Sequence, residues 1–190
     1  MKKWLLLGLM ASVLLANETF YEYGDLEEKQ DGTLIEVKTK KPANGIGRFF
    51  YESGELKGET PFKNGLRDGM GKIFYKSGSL KSETPFVADK IDGLKREFFE
   101  SGKIQSTVPF QNNQAEGVAK FYYPNGVLQG ETLFKNNQPS GITKLYDKNG
   151  ALARSIEFKD GMVVKGYDYD AKGKAKELSP DEIKLISSAE

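Results

Sequence analysis

The sequence predicts an all-β fold: an elongated single-layer antiparallel meander of tandem 24-residue β-hairpin repeats, with a short C-terminal helix. Three observations predict it. Two series of glycines and one of phenylalanines recur every 24 residues, each unit contains a turn signal between alternating apolar and polar residues, and both ends depart from the period. The three series are Gly45, Gly69, Gly93, Gly117 and Gly141; Gly54, Gly78, Gly102, Gly126 and Gly150; and Phe62, Phe86, Phe110, Phe134 and Phe158.

Five units follow one another without insertion over residues 45–164. Their limits are 45–68, 69–92, 93–116, 117–140 and 141–164. An array of this kind is stabilised mainly by contacts between neighbouring units. We therefore expect each unit to add one hairpin to the same sheet.

The register of each hairpin is predicted from its turn. In the first unit, Ser53-Gly54 is predicted to be a two-residue loop, in which the glycine supplies positive φ. The resulting pairs are Arg48–Glu59, Phe49–Gly58, Phe50–Lys57, Tyr51–Leu56 and Glu52–Glu55. The recurring base thus faces a recurring acid, although Thr107 and Ser155 replace that acid in two units.

Alternation along the strands assigns the two faces of the sheet. One face is predicted to be apolar, with Phe49, Tyr51, Leu56 and Phe62. The other is predicted to mix Ile46, Phe50 and Pro61 with Arg48, Lys57 and Glu59. Proline cannot donate to a ladder, so pairing is expected to loosen before each phenylalanine. Dipeptides such as Asn64-Gly65 and Asn112-Asn113 mark the turn into the next unit.

The chain ends are predicted to be degenerate caps that protect the open sheet edges. Residues 17–44 form the N-terminal cap, in which Asp31-Gly32 resembles a hairpin turn. Residues 165–190 form the C-terminal cap, which resembles a sixth unit that has lost its second strand. A capping box at 179–182 predicts a short helix over about 180–188.

Residues 1–16 are predicted to be a cleaved signal peptide. Lys2 and Lys3 precede 13 mostly apolar residues, and polar residues follow from Asn17. The apolar run is shorter than the roughly 20 residues that a transmembrane helix needs. The mature chain is therefore expected to be periplasmic, with secretion as the second choice, and not inserted in the membrane.

Composition excludes several function classes. There is no cysteine and no histidine, so disulfides, thiol chemistry and the commonest general base are absent. The 28 basic and 27 acidic residues are interspersed, which disfavours nucleic-acid binding. Residues 168–173 resemble the start of an EF-hand loop, but Lys172 and Ser179 occupy two of its ligand positions. We predict no enzyme activity, no catalytic residue, no metal site and no cofactor.

The repeat resembles the bacterial variant of the MORN repeat. Its core, Tyr122-Tyr123-Pro124-Asn125-Gly126, is close to the hallmark of that family, and the resemblance covers roughly residues 30–170. Such bacterial proteins are often described as antitoxin-like, and MORN repeats elsewhere as interaction or scaffold modules. The resemblance implies a curled single-layer sheet and a binding role. The leader departs from the antitoxin description, because an antitoxin usually meets its toxin in the cytoplasm.

Two recurring columns are the candidate partner-binding residues. The aromatic column is Phe50, Phe74, Phe98, Tyr122 and Tyr146, and the basic column is Arg48, Lys72, Arg96, Lys120 and Lys144. Cross-strand aromatic packing that stabilises the sheet is the alternative explanation of the aromatic column. In the functional reading, the aromatics dock an extended partner and the bases provide polar anchors.

Together these features predict a non-enzymatic, exported scaffold or adaptor that binds another protein in the bacterial cell envelope. One alternative is an antitoxin-like inhibitor that neutralises a partner toxin. Another is a module that binds a glycan or a peptide.

Overall fold

The computed structural model describes residues 18–22 and 24–187. The predicted signal peptide and its cleavage point lie outside these residues. Eighteen strands and one helix are present in the described ranges. They are β1 Phe20–Tyr21, β2 Leu26–Glu28, β3 Leu34–Glu36, β4 Gly45–Phe50, β5 Leu56–Lys63, β6 Leu66–Arg67, β7 Gly69–Phe74, β8 Leu80–Val87, β9 Lys90–Ile91, β10 Gly93–Phe98, β11 Ile104–Gln111, β12 Gln114–Ala115, β13 Gly117–Tyr122, β14 Leu128–Lys135, β15 Gln138–Tyr146, β16 Leu152–Lys159, β17 Met162–Tyr169, β18 Ala175–Glu177 and α1 Pro180–Ser187.

Sixteen of these strands form one long open sheet, which confirms the predicted fold class. The order is β1-β4-β5-β7-β8-β10-β11-β13-β14-β15-β16-β17-β18, with β6, β9 and β12 paired beside it. Every pair along this path is antiparallel except β1–β4, in which Phe20 and Tyr21 pair in parallel with Ile46 and Gly47. The first edge of the sheet is therefore covered by a parallel strand, which is not part of the predicted antiparallel meander.

The hairpin turns are longer than predicted, and a β-bulge compensates for the extra residue. Gly54 N–H donates to Tyr51 O, and Tyr51 N–H donates to Glu55 O. The loop therefore contains three residues, and Gly54 has φ +97°, which is the geometry of a type I turn followed by a left-handed residue.

Because of this loop, three predicted pairs are wrong. Phe50 pairs with Leu56, and Lys57 is the extra residue of a bulge. Beyond the bulge, the predicted pairs Phe49–Gly58 and Arg48–Glu59 are confirmed. All five units have the bulge at this place.

The bulge also moves one aliphatic column to the other face of the sheet. Directly opposed residues share a face, so Leu56 lies with Phe50, not with Phe49 and Phe62 as predicted. Its counterparts Leu80, Ile104, Leu128 and Leu152 are paired with the other four column aromatics.

Two-residue turns do occur, but between units. Both residues of each have positive φ, as at Asn112 (+50°) and Asn113 (+69°), which asparagine and glycine tolerate best. The second turn residue also contacts the preceding unit, since Asn113 N–H donates to Ile91 O and Asn113 Oδ1 accepts from Ile91 N–H at 2.6 Å. Asp89 and Asn137 make the same double contact with Arg67 and Ala115.

Proline interrupts the pairing between units, as predicted. Between the first and second units, Pro61 makes only one hydrogen bond with the next strand, from Asp68 N–H to Pro61 O. At this point the next strand is divided into β6 and β7. Leu133 and Glu157 occupy the same position in the last two units. There the following strands, β15 and β17, run unbroken through the join, because the missing N–H donor is restored.

In the middle of the array the buried residues are small, because a single layer has no second sheet to pack against. The larger buried side chains lie toward the two ends of the sheet: Tyr21, Ile35, Ile156 and Leu178. Ala119 is fully buried, whereas none of the large side chains in the described residues is completely buried. Phe62 and Phe86 lie over glycines: a Cβ at Gly47 or Gly71 would come within 2.8 or 2.9 Å of the phenylalanine ring. Each phenylalanine thus covers the backbone of its own hairpin.

The face opposite the charged columns is not uniformly apolar, which corrects the sequence prediction. Lys95 Nζ lies 2.9 Å from Glu97 Oε1 in the third unit, and this hydrogen bond lowers the pKa of Glu97. Near the C-terminal end, Arg154 binds Asp168 through two hydrogen bonds of 2.6 and 3.0 Å. This contact lowers the pKa of Asp168.

Tyrosines at the seventh position of the unit join neighbouring hairpins. Tyr51 Oη donates to Phe74 O at 2.8 Å, and Tyr75 Oη to Phe98 O at 2.8 Å. Tyr123 Oη makes the equivalent bond to Tyr146 O at 2.9 Å. In the third unit Phe99 stands at this position and lacks the hydroxyl group.

The N-terminal cap contains a hairpin of its own. Strands β2 and β3 pair apart from the main sheet, around a turn in which Gly32 has φ +84°. Leu34 N–H donates to Gly65 O, which attaches the cap to the first unit.

The C-terminal cap keeps its second strand, contrary to the sequence prediction. β18 pairs with β17 through Tyr167–Glu177, Asp168–Lys176 and Tyr169–Ala175. The residues resembling an EF-hand loop form this hairpin turn, in which Asp170 Oδ1 accepts from the N–H groups of Lys172 and Lys174. Leu178 is buried against Gly166.

The predicted capping box is confirmed. Ser179 N–H donates to Glu182 Oε2 at 2.7 Å, and Glu182 N–H donates to Ser179 Oγ at 3.3 Å. Helix α1 begins at Pro180, as expected, and packs on β17.

The tyrosine bonds predict that Phe99→Tyr stabilises the protein. The new hydroxyl reaches the carbonyl of Tyr122, so the free energy of unfolding is expected to rise by about 1 kcal/mol. Tyr75→Phe is expected to lower it by a similar amount. Urea unfolding followed by circular dichroism measures both changes. An unchanged midpoint for Phe99→Tyr would show that these hydroxyls contribute nothing net.

Candidate functional site

One face of the sheet carries a row of eight charged and two hydroxyl side chains across ten strands, from β4 to β16. We call it the charge row, and the surface that bears it the ladder face. Each member lies directly opposite the next. The row is Arg48, Glu59, Lys72, Glu83, Arg96, Thr107, Lys120, Glu131, Lys144 and Ser155.

Acids in the row lie between a base of their own unit and a base of the next. Glu59 Oε2 lies 4.0 Å from Arg48 Nε, and Glu59 Oε1 lies 3.7 Å from Lys72 Nζ. The sequence predicted only the contacts within a unit. The contacts between units depend on how consecutive hairpins align, which the turn between them decides.

The remaining bases of the basic column differ in their partners. Arg96 lies 3.7 Å from Glu83, and Lys144 lies 3.4 Å from Glu131. Lys120 is exposed and has no carboxylate within 4.0 Å among residues 18–22 and 24–187. Three acids and five bases leave the row with an excess of two positive charges.

The first base of the row is partly covered by β1. The Arg48 guanidinium lies 3.6 Å from the centre of the Phe20 ring, a favourable cation–π distance. Its Nε atom is buried and has no hydrogen-bond partner within the described part of the chain. Arg48 is therefore the least available of the five bases.

The aromatic column lies beside the charge row, at the end of each hairpin nearest its turn. Phe50 is 43% exposed, and Phe74, Phe98, Tyr122 and Tyr146 are half-buried. Each faces an aliphatic partner within its own hairpin. Aromatic pairs across the strands, the alternative explanation of the column, are therefore not found within these hairpins. The structure thus places both candidate columns on one face and adds the aliphatic column to them.

Tyr146 is linked directly to the charge row. Its hydroxyl donates to Glu131 Oε1 at 3.3 Å. Burial raises the pKa of Tyr146, and the charge of Glu131 raises it further. The hydroxyl therefore stays protonated and donates at neutral pH.

A second apolar row borders the charge row on the other side. It contains the second residue of each unit and the residue paired with it, such as Leu94 with Pro109 and Val118 with Leu133. Leu94 is 38% exposed and Val118 46%. Alternation in the sequence predicted these residues on this face but did not mark them as part of a site.

A separate cavity of about 480 Å³ lies on the opposite face near the N-terminal cap, lined by Tyr21, Leu26, Phe49, Thr60 and Phe62 among others. It contains none of the candidate residues except Arg48. Within the described ranges, no three His, Cys, Asp or Glu side chains are grouped to hold a metal ion. None of the described helical segments has the length and apolar character needed to cross a bilayer.

Comparison with protein families identifies the repeat. Four consecutive segments, residues 43–64, 67–88, 91–112 and 115–136, match the family model of the MORN repeat variant. The matches overlap the first four of the five units. MORN repeats are a non-catalytic family, commonly of protein- or lipid-binding modules. No curated protein matches the chain.

The charge row predicts a salt-sensitive contribution to stability. Glu59→Gln removes the contacts with Arg48 and Lys72 and is expected to lower the free energy of unfolding by about 1 kcal/mol at low ionic strength. Added salt screens exposed charges and should shrink the difference. Glu52→Gln, in the exposed turn of the same hairpin, is the matched control. Equal effects of the two variants in urea titrations would contradict this role.

Proposed function

We propose that this protein is a non-enzymatic, exported repeat protein that binds another protein on its ladder face and acts as a scaffold or adaptor in the bacterial cell envelope. The observation that carries the proposal is the repetition of one aromatic, aliphatic and charged pattern along an open sheet face. A catalytic site is a unique constellation, whereas a repeated surface suits an extended interface.

The dimensions of the ladder face suit a protein partner. Neighbouring strands lie about 4.8 Å apart, so the ten strands of the charge row extend over roughly 40 Å. This length is comparable with the width of a standard interface that buries about 800 Å² per partner. Aromatic residues and arginine, which are enriched at such interfaces, are both present.

The charge pattern favours a protein over an anionic membrane. Polybasic surfaces that bind lipids gain roughly 1 kcal/mol for each unopposed Lys or Arg. In the charge row, Glu59, Glu83 and Glu131 oppose most of the bases. A surface of alternating charge fits a partner with its own pattern of acids and bases.

Export is the second part of the proposal and is supported by the leader at residues 1–16. We expect the intact mass of the protein from its native host to correspond to a chain that begins at Asn17, measured on the periplasmic fraction. A cytosolic chain that keeps Met1 would instead favour the antitoxin-like alternative, because an antitoxin usually acts where its toxin is made.

The binding face is tested by affinity capture from the cell envelope with paired variants. The ladder-face variant Leu94→Ser/Val118→Ser replaces two exposed apolar residues, and its control Phe121→Ser/Leu145→Ser replaces two of similar exposure, 39% and 36%, on the opposite face. A triple variant, Phe74→Ser/Phe98→Ser/Tyr122→Ser, tests the aromatic column and is checked for folding by circular dichroism.

We expect one stoichiometric protein that is retained by the control and lost with both ladder-face variants. The captured protein, once purified, should rebind the wild-type chain. A protein lost only with the control would place the interface on the opposite face. Capture of a glycan, or of no macromolecule, would contradict the scaffold proposal.

A further inference from the structure

The charge row has two gaps, positions without a charged side chain, and one of them, Thr107, lies near its centre. Thr107 lies between Arg96 and Lys120, at a position where most other units have a glutamate. Its strand, β11, has six strands on either side in the order of the sheet. We propose that this gap binds a carboxylate side chain of the partner protein, which completes the charge row; this inference rests on the proposed function.

The side chains around the gap are available for such a contact. Thr107 is half-exposed and its hydroxyl makes no hydrogen bond to another described side chain. Lys120 lies directly opposite Glu131 on its far side but has no acid within 4.0 Å in the described residues. The Arg96 side chain is 36% exposed, and its acid, Glu83, is likewise on the side away from Thr107. Two cations thus face a neutral residue.

The protein itself shows which group suits this position. At the junction of the first two units, Glu59 lies between Arg48 and Lys72, at 4.0 and 3.7 Å. A carboxylate over Thr107 would have the same relation to Arg96 and Lys120. Such a carboxylate would form two ion pairs, one with each base, and each exposed pair contributes up to about 1 kcal/mol.

The second gap, at Ser155, is already filled by the chain. Ser155 is buried, and its hydroxyl lies 3.1 Å from Tyr169 Oη. Its neighbour Lys144 is paired with Glu131 of the preceding unit, at 3.4 Å. Of the two neutral positions in the row, only Thr107 combines access with a neighbouring base that has no carboxylate within 4.0 Å in the described residues.

The surroundings of the Thr107 gap indicate an acidic residue between apolar ones. Leu94 and Val118 lie on one side of the charge row, and Ile104 on the other, and all three are at least 38% exposed. Binding energy concentrates in residues near the centre of an interface that are surrounded by apolar contacts. A glutamate flanked by leucines would meet both features of this patch.

The test uses a capped pentapeptide with a central glutamate, flanked by threonines and then by leucines, and a second peptide with glutamine at the centre. Binding is followed by backbone amide NMR shifts at neutral pH. We expect the wild-type protein to prefer the glutamate peptide by roughly tenfold, the effect of two exposed ion pairs. Shifts should centre on residues 96, 107 and 120.

Thr107→Glu is the decisive variant because it places the chain's own carboxylate in the gap. It should raise the melting temperature and abolish the preference for the glutamate peptide. Thr107→Gln has the same size without the charge and should leave the preference intact. Circular dichroism shows whether both variants remain folded.

Several results would overturn the inference. An equal affinity of the wild-type protein for the two peptides, or a preference that survives Thr107→Glu, would show that the gap does not select a carboxylate. Binding to vesicles of equal parts phosphatidylcholine and phosphatidylglycerol, lost with Thr107→Glu and without peptide binding, would assign the gap to lipid phosphate. If Thr107→Glu still captures the envelope partner that the Leu94→Ser/Val118→Ser variant loses, the inference fails and the proposed function stands.

Discussion

The register of each hairpin is the constraint on which the rest of the structure depends. A three-residue loop shifts the pairing by one position, and the bulge at Lys57 and its counterparts shifts it back. Without that correction, Arg48 would oppose Gly58, and the side chains of the second strand would change face relative to those of the first. The charge row exists because five units repeat the same two compensating irregularities.

A single-layer sheet must be stabilised by contacts between neighbouring hairpins, since it has no second layer in which to bury large side chains. The lateral contacts found here are of three kinds: ion pairs in the charge row, tyrosine hydroxyls that reach the next unit, and turn residues such as Asn113 that bond to the unit before. Each is individually modest, about 1 kcal/mol or less, but each recurs along the array. Stability of this kind grows with the number of neighbouring units.

The same side chains serve structure and recognition. Bases of the charge row hold adjacent hairpins together wherever an acid stands between them, and they are left with unused capacity where Thr107 replaces it. A repeat array can therefore acquire a distinct central feature through one substitution that leaves the fold intact, because neighbouring ion pairs contribute little individually. The exposed Leu94, Ile104 and Val118 surround that feature and extend it into a patch of mixed polarity.

The sequence by itself determined the fold class, the 24-residue unit, the pairing of Arg48 with Glu59, the effect of Pro61 and the capping box at Ser179, because each depends on local geometry or on a period that is visible in one chain. The tertiary structure alone decided the three-residue loops, the face of Leu56, the parallel strand β1 and the retained strand β18. It also decided the contacts between units, including those of Glu59 with Lys72 and of Tyr75 with Phe98. The contacts between units depend on how consecutive hairpins align. The faces of the sheet are predicted from side-chain alternation, and alternation does not show a bulge or a turn that displaces the chain by one residue.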